Sequence, residues 1–221
     1  MSKHKLSNPK IILVLICLVF LLTRLYKISE IPASVYWDEA SIGYNAYSIA
    51  ETGRDEWGKF LPIHFRAFGE FKLPVYIYAT VASVKLFGLN EFALRFPAVL
   101  FALGVIIAAY LLAKKISGDS TVGLFSSFFL SISPWFFIFS RTGYEATAGL
   151  MFYMLGIYIF LEQNKKSWYI LISVISFILS AYSYNSFRIV APITILLLIL
   201  WNIKDLKSYT KKGLFFLTLS G

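Results

Sequence analysis

Apolar runs long enough to cross a bilayer recur almost from one end of this chain to the other, and they limit its fold more than any motif does. In lipid every backbone N–H and C=O must find a partner within the protein, so spanning segments are helices or closed barrels. Runs of this length predict helices at about 10–28, 93–113, 120–140, 144–162, 167–186 and 189–203, with a seventh opening at Gly213 and cut off at Gly221. The expected architecture is all-α and polytopic: one transmembrane module over residues 1–221, whose first outer loop, 30–88, carries juxtamembrane helices. A mean hydropathy of +0.69 excludes an ordinary soluble domain. The N-terminal Lys3-His4-Lys5 and the apolar run behind it resemble a signal peptide, but no small-x-small cleavage site follows, so the run reads as an uncleaved first helix. The single cysteine, Cys17, lies inside that run and reads as packing.

The net charge of +9 does not point to nucleic acid, because the basic residues are not clustered among aromatics in any soluble segment. It is distributed as membrane topology requires. The apolar segment 73–88 is short for a crossing, and its placement sets the orientation of everything after it. If it stays in the outer leaflet, Lys3, Lys5, Lys10, Lys114, Lys115, Lys165, Lys166, Lys204, Lys207, Lys211 and Lys212 are all cytoplasmic, as is the N-terminus. If it crosses, every lysine from Lys114 onward faces out, against the positive-inside rule. The first arrangement is therefore expected. It places all six arginines (Arg24, Arg54, Arg66, Arg95, Arg141, Arg188) on or near the outer face, with eight of the twelve acids between Glu30 and Glu91. Arginine is the better fork for phosphate and carboxylate, so this set suggests an anionic ligand outside.

Four polar clusters converge on that face: Asp38-Glu39, Glu70 with Lys72, Arg141 to Glu145, and Tyr182 to Arg188. Each has a plainer reading. The acid pair can open a helix over Asp38–Thr52 that stops at Gly53, with Tyr36, Trp37, Tyr44 and Tyr47 at headgroup level. Glu70 and Lys72 can be a solvated pair, and Arg141 can snorkel. The concentration of all four on one side, opposite loops of little but lysine, favours a shared site.

Several segments together resemble the lipid-carrier-dependent glycosyltransferases of the GT-C fold, and most of all the group of protein O-mannosyltransferases and lipid A aminoarabinose transferases. They are Trp37-Asp38-Glu39, Phe71-Lys72-Leu73-Pro74-Val75-Tyr76, the run Leu86 to Pro97, and Ile132-Ser133-Pro134-Trp135 leading to Ser140-Arg141. The resemblance implies a polyprenyl-phosphate sugar as donor, an acceptor left undefined, and transfer with inversion at the outer face. It puts Asp38, with Glu39 and Glu145, in the catalytic set, Asp38 as general base. Lys72, Arg95, Arg141 and Arg188 are expected at the donor phosphate, Trp37 and Tyr184 at the substrate. A divalent metal ion is an alternative source of positive charge, with Glu70 as its ligand. Members of this group continue through further spans, so a shortened, inactive member is one alternative. A transporter or flippase of an anionic lipid-linked substrate is the other.

Overall fold

A computed structural model describes residues 8–163 and 168–201. Lys3, Lys5, Lys165, Lys166, the lysines from Lys204 onward and the span expected from Gly213 lie outside the described residues. The described chain is mainly helical: α1 (Pro9–Leu25), α2 (Trp37–Thr52), α3 (Pro74–Phe87), α4 (Glu91–Ser117), α5 (Ser120–Ile132), α6 (Pro134–Phe139), α7 (Ala146–Leu161), α8 (Tyr169–Ala181) and α9 (Phe187–Trp201). A hairpin of β1 (Phe65–Ala67) and β2 (Glu70–Lys72) lies between α2 and α3.

The central helix is α4. Asn90 caps it by accepting from the Ala93 N–H at 2.9 Å, Glu91 opens its first turn, Lys114 and Lys115 close its last, and Gly118 ends it at φ 73°. Among the described residues it alone is long and apolar enough to cross a membrane unaided; α3, α5, α7, α8 and α9 are apolar but shorter. Two clusters of buried side chains flank it. Ile42, Ala46 and Ile49 of α2 pack with Tyr76 and Ile77 of α3 against Ala98, while Phe20 of α1 and Phe136 of α6 pack against Val99, Ala102 and Ile106.

The segment expected as one helix over 120–140 is two. Pro134 has no N–H to continue the ladder and holds Ser133 at ψ 125°, so α5 stops at Ile132 and α6 starts afresh. Between α7 and α8 the contact is made by small residues. Ser173 and Ser180 donate to the carbonyls of Gly156 and Gly149 at 2.7 and 2.8 Å. Each pair is seven residues apart, two helical turns, so both bonds lie on one antiparallel seam, and a Cβ on Gly149 would meet Phe187 at 2.7 Å.

Helix α3 does not run down α4. Near its start Tyr76 donates to the Leu94 carbonyl at 2.9 Å, and at its end Phe87 stacks edge-on with Phe92 and Phe96. Both ends therefore meet the first turns of α4. The hairpin before α3 was not evident from sequence. Phe68 (φ 44°) and Gly69 (φ 85°) make a two-residue turn with both φ positive, and its register pairs Phe65 with Lys72 and Ala67 with Glu70. Phe65, Ala67 and Lys72 point inward, so a lysine is delivered into the interior next to the start of α2.

Candidate active site

The adjacent acids Asp38 and Glu39 serve different partners, because consecutive residues on a helix point about 100° apart. Glu39 turns inward and is 2% exposed. Its Oε1 accepts from Arg95 Nε (3.0 Å) and the Gly143 N–H (2.6 Å), and its Oε2 from the Tyr36 N–H (3.0 Å) and Arg95 Nη2 (3.3 Å). Four donors saturate the carboxylate. The bond to Tyr36 is the reciprocal half of a helix N-terminal box, the role a glutamate at the third helical position commonly takes.

Arg95, fully buried, is equally saturated. Besides Glu39, its guanidinium donates to the carbonyls of Ile28 (2.8 Å), Pro32 (3.0 Å) and Ser34 (3.0 Å), which engages all five N–H groups. Arg141 serves the same segment, donating from Nη1 and Nη2 to the carbonyls of Thr23, Arg24, Tyr26 and Ile31 at 2.7–3.1 Å, while its buried Nε has no hydrogen-bond partner. Arg24, which the sequence did not single out, reaches Ser140 Oγ at 3.0 Å and the Ser131 carbonyl at 2.5 Å. These arginines hold the irregular segment after α1 and seat it against the α6–α7 turn. Arg95 and Arg141, expected at the donor phosphate, are therefore placed in the framework, as is Glu39, expected in the catalytic set.

Asp38 turns the other way. It lines an open cleft of about 320 Å³ together with Tyr36, Glu39, Phe139, Thr142, Gly143, Tyr144 and Tyr184. Its Oδ1 lies 2.6 Å from Lys72 Nζ, and the same ammonium meets Glu70 Oε1 at 3.0 Å and Glu145 Oε1 at 4.0 Å. Three of the expected site residues thus gather around Lys72, drawn from α2, β2 and the turn before α7. Burial pulls the Lys72 ammonium down, but the charge of Glu145 and the hydrogen bonds to Asp38 and Glu70 outweigh it and leave its pKa above the ordinary lysine value. Burial pushes the Glu145 carboxyl up, with Lys72 opposing, and its Oε2 is buried without a hydrogen-bond partner.

The remaining expected residues are dispersed. Tyr184 lines the cleft, its hydroxyl 3.5 Å from that of Tyr144. Trp37 is exposed beside the cleft and stacks on Phe68, ring centroids 6.1 Å apart. Arg188 is exposed and meets His64 Nε2 at 3.2 Å, not the Lys72 cluster. Glu70 does not fit the metal-ligand role. Its carboxylate is on Lys72, His64 is on Arg188, and among the described residues no three His, Cys, Asp or Glu side chains are grouped to hold an ion. Phe139, Tyr144 and Tyr36 complete the cleft; they are aromatics that sequence alone does not separate from interfacial belt residues.

A cleft with one accessible carboxylate, a protonated lysine bound to it and a wall of aromatic rings suits transfer chemistry on a sugar carrying a phosphate. A relative from Aquifex aeolicus (strain VF5), described only as an uncharacterized protein, is 26% identical over 163 residues, which cover 69% of this chain and 33% of the relative. The chain thus spans about a third of the length of the curated relative it matches. The sequence profile of the dolichyl-phosphate-mannose-protein mannosyltransferase family matches residues 72–220, a stretch that includes Lys72, Arg95, Arg141, Glu145, Tyr184 and Arg188 and begins after Asp38. With well over half of its residues matched, the chain belongs to the dolichyl-phosphate-mannose-protein mannosyltransferase family, glycosyltransferases of GT-C type.

Proposed function

We propose that this chain forms the catalytic end of a polytopic membrane glycosyltransferase, moving a sugar from a polyprenyl-phosphate carrier to an acceptor hydroxyl at the outer face with inversion. The contact that carries the reading is that of Asp38, which lines the cleft, with Lys72 buried beside it. Asp38 takes the acceptor proton as the hydroxyl oxygen attacks the anomeric carbon. The bond from that carbon to the phosphate oxygen breaks, its electron pair stays on the phosphate, and Lys72 neutralises the charge in a site of low dielectric. Attack from the face opposite the phosphate inverts the centre. Tyr36, Phe139, Tyr144 and Tyr184 offer ring faces for the sugar. Glu145 acts through Lys72, and Glu39 with Arg95 acts through the position of α2.

Helix directions support the orientation. Nineteen residues separate Arg95, beside the cleft, from Lys114, about 28 Å along α4 and close to the thickness of a bilayer's hydrocarbon core. Lys115 meets Glu162, just past the end of α7, at 2.9 Å, so α4 and α7 run the same way, from the Asp38 end to the lysine end. The outward surfaces of the bundle are apolar, with Val19, Leu22, Phe129, Leu171 and Leu197 exposed, as lipid contact requires. Cysteines introduced at Thr142 and Asn185, in a Cys17→Ser background, should react from outside with an impermeant thiol reagent; those at Lys114 and Lys165 should react only after permeabilisation. External labelling at Lys165 would overturn the topology.

The functional test is transfer. Membranes carrying the chain, given a radiolabelled polyprenyl-phosphate sugar, should release polyprenyl phosphate and label an endogenous acceptor with the opposite anomeric configuration. A nucleotide sugar should not substitute. Donor binding without transfer would favour the inactive-member alternative, and neither binding nor transfer would end the proposal.

A further inference from the structure

Glu70 is placed unlike the other acids of the cluster. Its carboxylate touches an ammonium whose side chain is 2% exposed, yet its own side chain is 57% exposed, against 16% for Asp38 and 10% for Glu145. Its contact with Lys72 is also the longer of the two hydrogen-bonding contacts, 3.0 Å against 2.6 Å for Asp38. Glu70 and Lys72 are two apart on β2, on the same side of the strand, so their contact can be made or broken by side-chain rotation without moving the backbone. Three carboxylates surround one ammonium, an excess of negative charge that opposes an incoming phosphate unless one carboxylate withdraws. Of the three, Glu70 has the most solvent to withdraw into.

Building on the donor reading above, we propose that Glu70 is a displaceable counter-ion for Lys72. It neutralises the lysine while the site is empty, yields to the donor phosphate, and competes for Lys72 again after transfer, which speeds departure of the carrier. The last step matters most. The donor is a phosphodiester with one negative charge. When the anomeric C–O bond breaks, the electron pair remains on the phosphate and the acceptor proton goes to Asp38, leaving a monoester of about −1.5 to −2 charge. That product grips Lys72 harder than the donor does, and a nearby carboxylate limits how tightly it is held. Glu70 is here a positioning residue, with no contact to the reacting atoms.

The proposal is tested by equilibrium binding of farnesyl phosphate to the detergent-solubilised chain, with farnesol as the neutral control. Glu70→Gln and Glu70→Ala should each bind farnesyl phosphate about fivefold tighter than wild type, the upper range for one partly exposed ion pair, with farnesol unaffected. In transfer assays both variants should be inhibited by polyprenyl phosphate at correspondingly lower concentration, so that kcat falls while donor KM also falls. A residue that only orders Lys72, or one that holds a metal for the phosphate, gives the reverse sign. Unchanged or weaker farnesyl phosphate binding in both variants would overturn the counter-ion role and leave the donor reading intact. No preference of the wild type for farnesyl phosphate over farnesol would instead remove the donor reading, and the counter-ion with it.

Discussion

Asp38→Asn should reduce sugar transfer by at least about 10²-fold while leaving abundance and insertion intact and farnesyl phosphate binding no weaker, since general-base assistance is typically worth about 10²–10⁴-fold. The substitution is nearly isosteric. Asparagine keeps an oxygen that can accept from Lys72, and Lys72 retains Glu70 and Glu145 as counter-charges. What is lost is the capacity to take a proton. Asp38 sits in the first turn of α2, where its negative charge also favours the helix dipole, but that contribution is about 0.3–1 kcal/mol and cannot by itself silence the protein. The two effects separate cleanly: a purely structural Asp38 predicts slightly lower thermal stability with transfer preserved. Near-normal transfer by the asparagine variant, measured at saturating donor, would remove the base assignment and leave Glu145, whose buried Oε2 has no hydrogen-bond partner, as the remaining candidate.

The sequence made α2 legible almost to the residue. Ile42, Ala46 and Ile49 recur at helical spacing, and Gly53 ends the helix at φ 71°, where a side chain would be strained. It also drew together Asp38, Lys72 and Glu145 from distant segments. The arginines were harder to read, for a physical reason. Their placement on the outer side suggested a phosphate, yet the demand they meet is internal. The chain leaves α1 and reaches α2 without regular structure, and carbonyls buried there have no backbone donors. Arg95 and Arg141 between them satisfy seven, from Thr23 to Ser34. An unpaired carbonyl leaves no mark in a sequence, so an arginine serving it looks the same as one serving a ligand. Glu39 did leave a mark, because a glutamate at the third position of a helix commonly bonds back to its start. The partner Arg95, 56 residues on, is a tertiary fact.

Arg95→Met should accordingly be a folding defect rather than a donor-binding defect. Methionine approximates the length of the arginine stem but supplies none of its five donors. Glu39 would be left as a buried carboxylate without its cation, and three carbonyls would lose their donor. Breaking a buried pair by removing one partner costs about 3–5 kcal/mol, a large part of a typical folding free energy. Membrane abundance and Tm in detergent should both drop sharply. Arg95→Lys should recover little, since a lysine has three donors on a point charge where the site uses a planar fork of five. Glu39→Leu alone should be similarly damaging, because it leaves the guanidinium unpaired. The double variant Arg95→Met with Glu39→Leu should cost clearly less than the sum of the single changes, as removal of both charges avoids an uncompensated one. The opposite pattern is equally readable. If Arg95→Met keeps wild-type abundance and Tm but loses farnesyl phosphate binding, the guanidinium is a phosphate ligand, and the five bonds it makes to Glu39 and the chain after α1 describe only the site at rest.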